Sequence, residues 1–295
     1  LGGSALIGKT LGEGDREKAN SLFSFFTYFM GAAGVLLAII GNVFLPRIAV
    51  LLGAEGAVLD NAILYGRICL CGISFLTLQY TLQGFLITAE RPQVGFWITV
   101  AAGVTNMVLD ALFITVFHWG LAGAAIATVI GQFIGAGVPI ALFFSTRNNW
   151  LLKLGKAKFD GHALLKACTN GSSEFLSNVS MSLVGMLYNA QLLKYAGNDG
   201  VVAYGVIMYV NMIYIAVFFG FSVGTSPVFS FNYGADNGTE LKSLFRKCAS
   251  IILGSSVIML LAAEVLARPL AMIFTSYDQS LLDLSLIHIS EPTRH

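Results

Sequence analysis

Asp110 carries a carboxylate into the run NMVLDALFI, residues 106–114, where Leu109, Ala111, Leu112, Phe113 and Ile114 all suit hydrocarbon. A charged side chain near the centre of a bilayer costs about 2.5–3.5 kcal/mol even on insertion scales, so an acid there marks an ion or substrate pathway by default. Asn106 lies four residues earlier on the same helical face, which places its amide within reach of the carboxyl. A second polar set, Glu174, Asn178, Met181, Gly185 and Asn189, follows 4-3-4-4 spacing and forms one stripe along a helix. Gln132 and Asn211, with Gln79 and Gln83, add neutral amides inside other apolar segments. For Asn178, Asn189, Gln132 and Asn211 the structural alternative is interhelical hydrogen bonding, worth about 0.6 kcal/mol each on average. That alternative does not account for Asp110, because such bonding needs no charge. Glu174 stands near one end of its helix and Glu264 near an end of another, where an acid can face headgroups and water.

Other chemistries find little support. GEGD at Gly12–Asp15 spells the pattern of intramembrane aspartyl proteases, but the other candidate, Asp278, falls in a loop on the opposite side of the membrane. Two carboxylates that share a proton must lie within a few ångströms, so the protease reading fails on geometry. Metalloprotease, nucleophile-elbow and phosphate-loop motifs do not occur. The four cysteines, Cys69, Cys71, Cys168 and Cys248, match no metal or redox spacing and read as small apolar helix residues. The expectation is a protein that is not an enzyme, with no cofactor and no fixed metal. No basic cluster is interleaved with aromatics in the manner of a nucleic-acid binder, so no nucleic-acid partner is expected.

The elements that must position Asp110 are membrane helices. The chain is 56% hydrophobic and only 11% charged, against about 25% charged in soluble domains. Spans of about 20 mostly apolar residues are predicted at roughly 22–45, 62–88, 93–117, 120–144, 168–194, 200–230 and 248–274, after a partial one ending near Leu11. Gly205, Gly220 and Gly224 are candidate bends in the 200–230 span. Loops 12–20, 89–92, 145–167 and 231–247 fall on one side, with eleven basic residues including Arg16, Lys18, Arg91, Lys153, Lys156, Lys158, Lys242 and Arg246. The opposite loops hold Arg47, with Lys194 and Arg268 at their edges. Basic residues collect on the cytoplasmic side, which makes the first set cytosolic and predicts a multi-pass protein of the cell's inner (plasma) membrane. In the 145–167 connection, Trp150, Leu151, Leu152 and Leu154 among lysines predict a short helix lying on the membrane surface.

A shift of 222 residues aligns GGSALIGKTLGEGDREKANSLF with GTSPVFSFNYGADNGTELKSLF without a gap, with Gly12 on Gly234 and Ser21-Leu22-Phe23 on Ser243-Leu244-Phe245. The repeat encloses six crossings, an even number, so both copies share one orientation, as in transporters built from parallel repeats. The predicted fold class is an all-α membrane protein of two six-helix bundles related as parallel repeats and truncated at both ends. The expected organisation is a partial N-terminal lobe over 1–146, a cytosolic connection over 147–166 and a partial C-terminal lobe over 167–283. Residues 284–295 resemble translated sequencing-adapter sequence and are expected to be non-native.

LGxGDxxxAN, ERPQ, TNMVLDALFI, GLAGAAIATVIGQ at 120–132 and SVGTSPVFSFNYGA at 222–235 together resemble the MATE multidrug and toxic-compound extrusion transporters, along essentially all of residues 1–283. That resemblance implies a twelve-helix protein, with this chain running from the end of the second helix to the end of the ninth. It implies export of cationic or amphipathic drugs in exchange for protons or sodium ions, with membrane lipid as surroundings and a monomer as the working form. Asp110 matches an acid of the fifth helix implicated in cation coupling or drug binding. The candidate coupling and binding residues are therefore Asp110, Asn106, Glu174, Asn178, Asn189, Gln132 and Asn211, with transient sodium at Asp110. The alternative is a lipid-linked oligosaccharide or lipid-precursor flippase of the same superfamily. Pyrophosphate head groups call for Arg or Lys inside the cavity, and the membrane interior offers Arg67 alone, about one and a half turns inside its helix.

Overall fold

A computed structural model describes residues 2–145 and 149–275. Among the described residues, seven helices follow one another: α1 (Gly2–Gly12), α2 (Arg16–Leu51), α3 (Gly56–Thr88), α4 (Pro92–Ala111), α5 (Gly120–Phe144), α6 (Gly161–Gly234) and α7 (Gly238–Thr275). A π-helical turn, Leu112–Val116, extends α4. Among the described residues, six stretches are long and apolar enough to cross a membrane: Arg16–Leu51, Gly56–Thr88, Pro92–Val116, Gly120–Phe144, Asn211–Gly234 and Gly238–Val265. Residues 168–194 are helical within α6 but do not reach that apolar level. Thr169, Ser172, Ser173, Glu174 and Asn178 dilute the apolar content of this predicted span. The non-helical dihedrals in α6 fall at Gly197 (φ 66°, ψ −157°) and not at the glycines 205, 220 or 224 expected to bend it. Helix α3 starts at Gly56, so Arg67 sits about three turns inside it rather than one and a half. The residues from 276 onward, including the adapter-like tail, lie outside the described residues.

The chain forms two compact units. Among the described residues, the first comprises those up to 170 together with 230–236, and the second comprises 171–229 together with 237–275. In the first, Ile7, Leu22, Phe23, Leu82, Phe85, Leu86 and Phe143 form the core. Phe23 is its hub, edge-on to Phe85 at 5.2 Å between ring centroids and tilted against Phe143 at 4.7 Å. In the second, the Tyr214 hydroxyl donates to the Met259 carbonyl at 3.2 Å, joining α6 to α7.

The connection before α6 departs from expectation. Residues 149–160 are an extended strap and not a surface helix. Leu152 (0% exposed) and Leu154 (8%) are buried in the first unit's core, while Lys153 between them is exposed. Period-two burial of this kind suits an extended backbone. The strap's amides find partners on α2: Lys153 N donates to Asn20 Oδ1 at 2.9 Å and Gly155 N donates to Ser24 Oγ at 3.0 Å. The Tyr28 hydroxyl donates to the Gly155 carbonyl at 3.0 Å. A surface helix would leave those two leucines half in water. The polar first turns of α2 make the extended form the better solution.

The 222-residue shift is visible in three dimensions. It carries the end of α1 (Gly12) onto the end of α6 (Gly234), and the start of α2 (Arg16) onto the start of α7 (Gly238). The linking turns match: Gly14 and Asp236, one shift apart, both adopt positive φ, 85° and 53°. The following residues cap the next helix alike, Asp15 Oδ1 accepting from Lys18 N at 2.9 Å and Asn237 Oδ1 from Glu240 N at 3.2 Å. Within the first unit the two helix ends also cross backbone to backbone. A Cβ on Gly12 would lie 2.0 Å from the Phe231 carbonyl oxygen, and one on Gly234 would lie 2.0 Å from the Lys9 carbonyl oxygen. Phe231 is the counterpart of Lys9 under the same shift, so the contact is reciprocal, as at a local twofold axis.

Candidate functional site

Helices α3, α4 and α5 build the site in the first unit. Asp110 stands one residue before the end of α4, half-buried, and its Oδ1 is enclosed without a hydrogen-bond partner. On α5, Gln132 Oε1 is likewise enclosed and unpartnered. Burying a polar atom without a partner costs about 1–3 kcal/mol, more for a charged group, and most native acceptors avoid it. Both orphans are acceptors. An enclosed oxygen with no donor invites a proton or a cation.

Asn106 differs from expectation. Its Nδ2 points across to Thr128 Oγ1 on α5 at 3.5 Å, not to Asp110. Thr128 receives that amide because its own hydroxyl proton is committed to the Ala124 carbonyl at 2.9 Å. The amide thus ties α4 to α5 and leaves the carboxylate free for another partner. Close approach of the two helices makes this possible, since a Cβ on Gly131 would lie 3.2 Å from the Asn106 Cβ and 3.1 Å from the Ala102 carbonyl oxygen.

The third wall is α3. Tyr65 and Cys69 stand one turn apart on it, with Tyr65 within electrostatic range of the Asp110 carboxylate. One turn further on, Gly72 leaves room for Gln132, whose Oε1 would be 2.8 Å from a Cβ at that position. Tyr65, Cys69 and Gly72 follow 4-3 spacing and so share one face of α3. Beyond Asp110, the π turn closes on the Phe117 N to Leu112 O bond at 3.1 Å, and π turns inside helices are frequent at functional sites. Phe113, Phe117 and Trp119 pack together past it, with centroids 4.9–6.0 Å apart.

Asp110 and Asn106 thus stand on α4 and Gln132 on the adjoining α5, all within the first unit. Glu174, Asn178, Asn189 and Asn211 belong to the second unit. Asn178 Nδ2 donates to the Glu174 carbonyl of its own helix at 2.8 Å, so this amide does not bridge helices. Asn178, Asn189 and Asn211 are exposed and Glu174 is half-buried. Tyr65, Cys69 and Thr128 were not anticipated. Thr128 was within reach, because it stands four residues before Gln132 in GLAGAAIATVIGQ. The α3 residues could have been found from their shared face, had Tyr65 been weighed with Cys69. Among the described residues, no group of three or more His, Cys, Asp or Glu side chains is placed to hold a metal ion.

The model of the MatE family matches residues 1–112 and 175–290. The chain is 26% identical over 278 residues to the multidrug export protein MepA of Staphylococcus haemolyticus, covering 90% of this chain and 61% of that protein. It is 24% identical over 285 residues to MepA of Staphylococcus aureus, covering 97% of this chain and 62% of that protein. This chain thus spans about three-fifths of the length of these relatives. Among solved structures, it superposes on the outward-facing conformation of a multidrug resistance MATE family transporter of the MOP superfamily, with a TM-score of 0.90 and 21% identity. That match covers 98% of this chain and 65% of the transporter. A MOP superfamily transporter from Pyrococcus furiosus gives a TM-score of 0.88 at 22% identity, over 98% of this chain and 64% of the other.

Proposed function

Because this chain belongs to the MatE family, we propose that it works as a secondary antiporter, moving cationic or amphipathic drugs outward against protons or sodium ions. The observation that carries this reading is the enclosed, unpartnered oxygen of Asp110. A proton, a sodium ion or a cationic drug each satisfies it, and no two can do so at once. Competition for one carboxylate gives exchange when access alternates between the two sides. Gln132 Oε1 on the neighbouring α5 is a second enclosed, unpartnered oxygen, of the neutral kind that suits a hard cation. The relatives named multidrug export proteins support the substrate class.

The flippase alternative fits the site less well. Its two orphaned atoms are both acceptors, which attract a cation and repel the oxygens of a pyrophosphate. Ethidium efflux from vesicles under separately imposed proton and sodium gradients tests the reading. Acceleration by one gradient is the expected result, and indifference to both removes antiport.

The excess of basic residues in loops 12–20 and 145–167 supports a cytosolic location for them. On a background with the native cysteines replaced, Asn149→Cys is expected to resist a membrane-impermeant maleimide in intact cells, while Glu55→Cys is labelled. Both positions are exposed. The opposite labelling pattern would invert the orientation.

A further inference from the structure

We infer that the end of the first unit built by the starts of α2 and α6 and by the strap holds a site for an anionic phospholipid headgroup. The inference rests on the surface chemistry of that end and not on the transport reading. Two adjoining cavities, of about 670 Å³ and 230 Å³, share Lys18, Leu22 and Asp160 as lining residues. The larger is lined by the first turns of α2 and by Lys153, Lys156 and Lys158 of the strap. The smaller adds Lys9 and Glu13 of α1, and His162 and Lys166 of α6. Six lysines and one histidine thus face four carboxylates.

Those carboxylates are largely committed. Asp15 and Asp160 cap the starts of α2 and α6, accepting from Lys18 N and Ala163 N at 2.9 Å each. Glu13 pairs with Lys9 at 3.4 Å. Among the described residues, no ion pair involves Lys18, Lys153, Lys156, Lys158 or Lys166. The strap's lysines do not ride on a loose loop, because Asn20, Ser21 and Ser24 hold the amides of Lys153, Lys158 and Gly155. The result is a concave, preorganised rim of uncommitted ammonium groups.

The apolar surroundings select a lipid over a free anion. Phe159, 80% exposed beside Lys158, stands edge-on to Phe25 at 5.5 Å. From there the outer face of α2 continues as exposed Tyr28, Phe29, Leu36, Ile39 and Val43. A headgroup phosphate among the lysines would leave its acyl chains lying along that face. Basic pockets at the cytoplasmic ends of membrane helices take such headgroups.

The test uses the whole chain in a neutral detergent, with lipid retention read by native mass spectrometry. Phosphatidylglycerol is expected to be retained and phosphatidylcholine to be lost. The triple variant Lys153→Gln, Lys156→Gln, Lys158→Gln is expected to weaken phosphatidylglycerol retention about a hundredfold, since each basic residue near an anionic surface contributes roughly a factor of five. The corresponding triple to Arg should retain the lipid, which separates lost charge from lost folding. Phe159→Ser should weaken lipid retention without affecting charge. Equal retention of the two lipids would overturn the inference. So would displacement of the lipid by inorganic phosphate at equal concentration, or an equal loss on neutralising Lys242, Arg246 and Lys247, which line a separate basic cavity on α7.

Discussion

Asp110→Asn is expected to reduce drug efflux at least tenfold while leaving membrane insertion and yield at wild-type levels. The amide is nearly isosteric with the carboxyl and keeps an acceptor oxygen where Oδ1 is enclosed, so packing of α4 against α3 and α5 is preserved. It loses the negative charge and the ability to bind and release a proton. A hydrogen bond to a charged group contributes about 1.5–3 kcal/mol against about 1 for a neutral one, so cation affinity falls by up to about 2 kcal/mol, and loss of the titrating proton takes away the rest of the exchange. Asn106→Ala supplies the comparison. Its amide reaches Thr128 and not the acid, so its removal should cost about 1 kcal/mol of stability and leave the coupling ion unchanged. Initial rates in vesicles, with surface expression measured in parallel, separate the outcomes. Wild-type exchange by Asp110→Asn across several cationic substrates would return Asp110 to a purely structural role.

The helices and the acid were legible in the sequence because both are local signals. A run of apolar residues declares its own helix, and one carboxylate within it declares itself. The partner of Asn106 was not legible by the same means. Its i,i+4 spacing to Asp110 is a statement about one helix, whereas Thr128 reaches it across a contact set by the small residue at Gly131. The strap shows the same limit. Trp150, Leu151, Leu152 and Leu154 score as an amphipathic surface segment, yet Leu152 and Leu154 are buried because α2 presents Asn20, Ser21 and Ser24 to satisfy an extended backbone. Such a choice depends on side chains more than 130 residues away. The repeat was the exception among long-range features. Its offset of 222 was readable from local identities, Gly12 with Gly234 and Ser21-Leu22-Phe23 with Ser243-Leu244-Phe245, and both copies keep the same turn, with Gly14 and Asp236 at positive φ, a conformation that Asp tolerates better than most non-glycine residues.

The paired glycines of that repeat lead to the second large effect. Gly12→Ala places a methyl 2.0 Å from the Phe231 carbonyl oxygen, and Gly234→Ala places one 2.0 Å from the Lys9 carbonyl oxygen. Neither clash can be relieved by turning a side chain, because the opposing atoms are backbone. The two helix ends must move apart, and each substitution is expected to destabilise the protein by about 1–3 kcal/mol, the usual range for overpacking. The reciprocal geometry makes a sharper claim about the double variant. Once one methyl has separated α1 from the end of α6, the second enters a gap already open. Gly12→Ala with Gly234→Ala should therefore cost much less than the sum of the two singles, with a coupling of at least 1 kcal/mol. Gly14→Ala provides a contrast. At φ 85° with nothing within 4 Å of its Cβ, it is strained by backbone conformation alone, and its cost should add to that of either crossing glycine. Thermal unfolding of the purified protein, followed by size-exclusion of the soluble fraction, measures all six variants. Additivity of Gly12→Ala and Gly234→Ala would show that the two helix ends do not share one reciprocal contact.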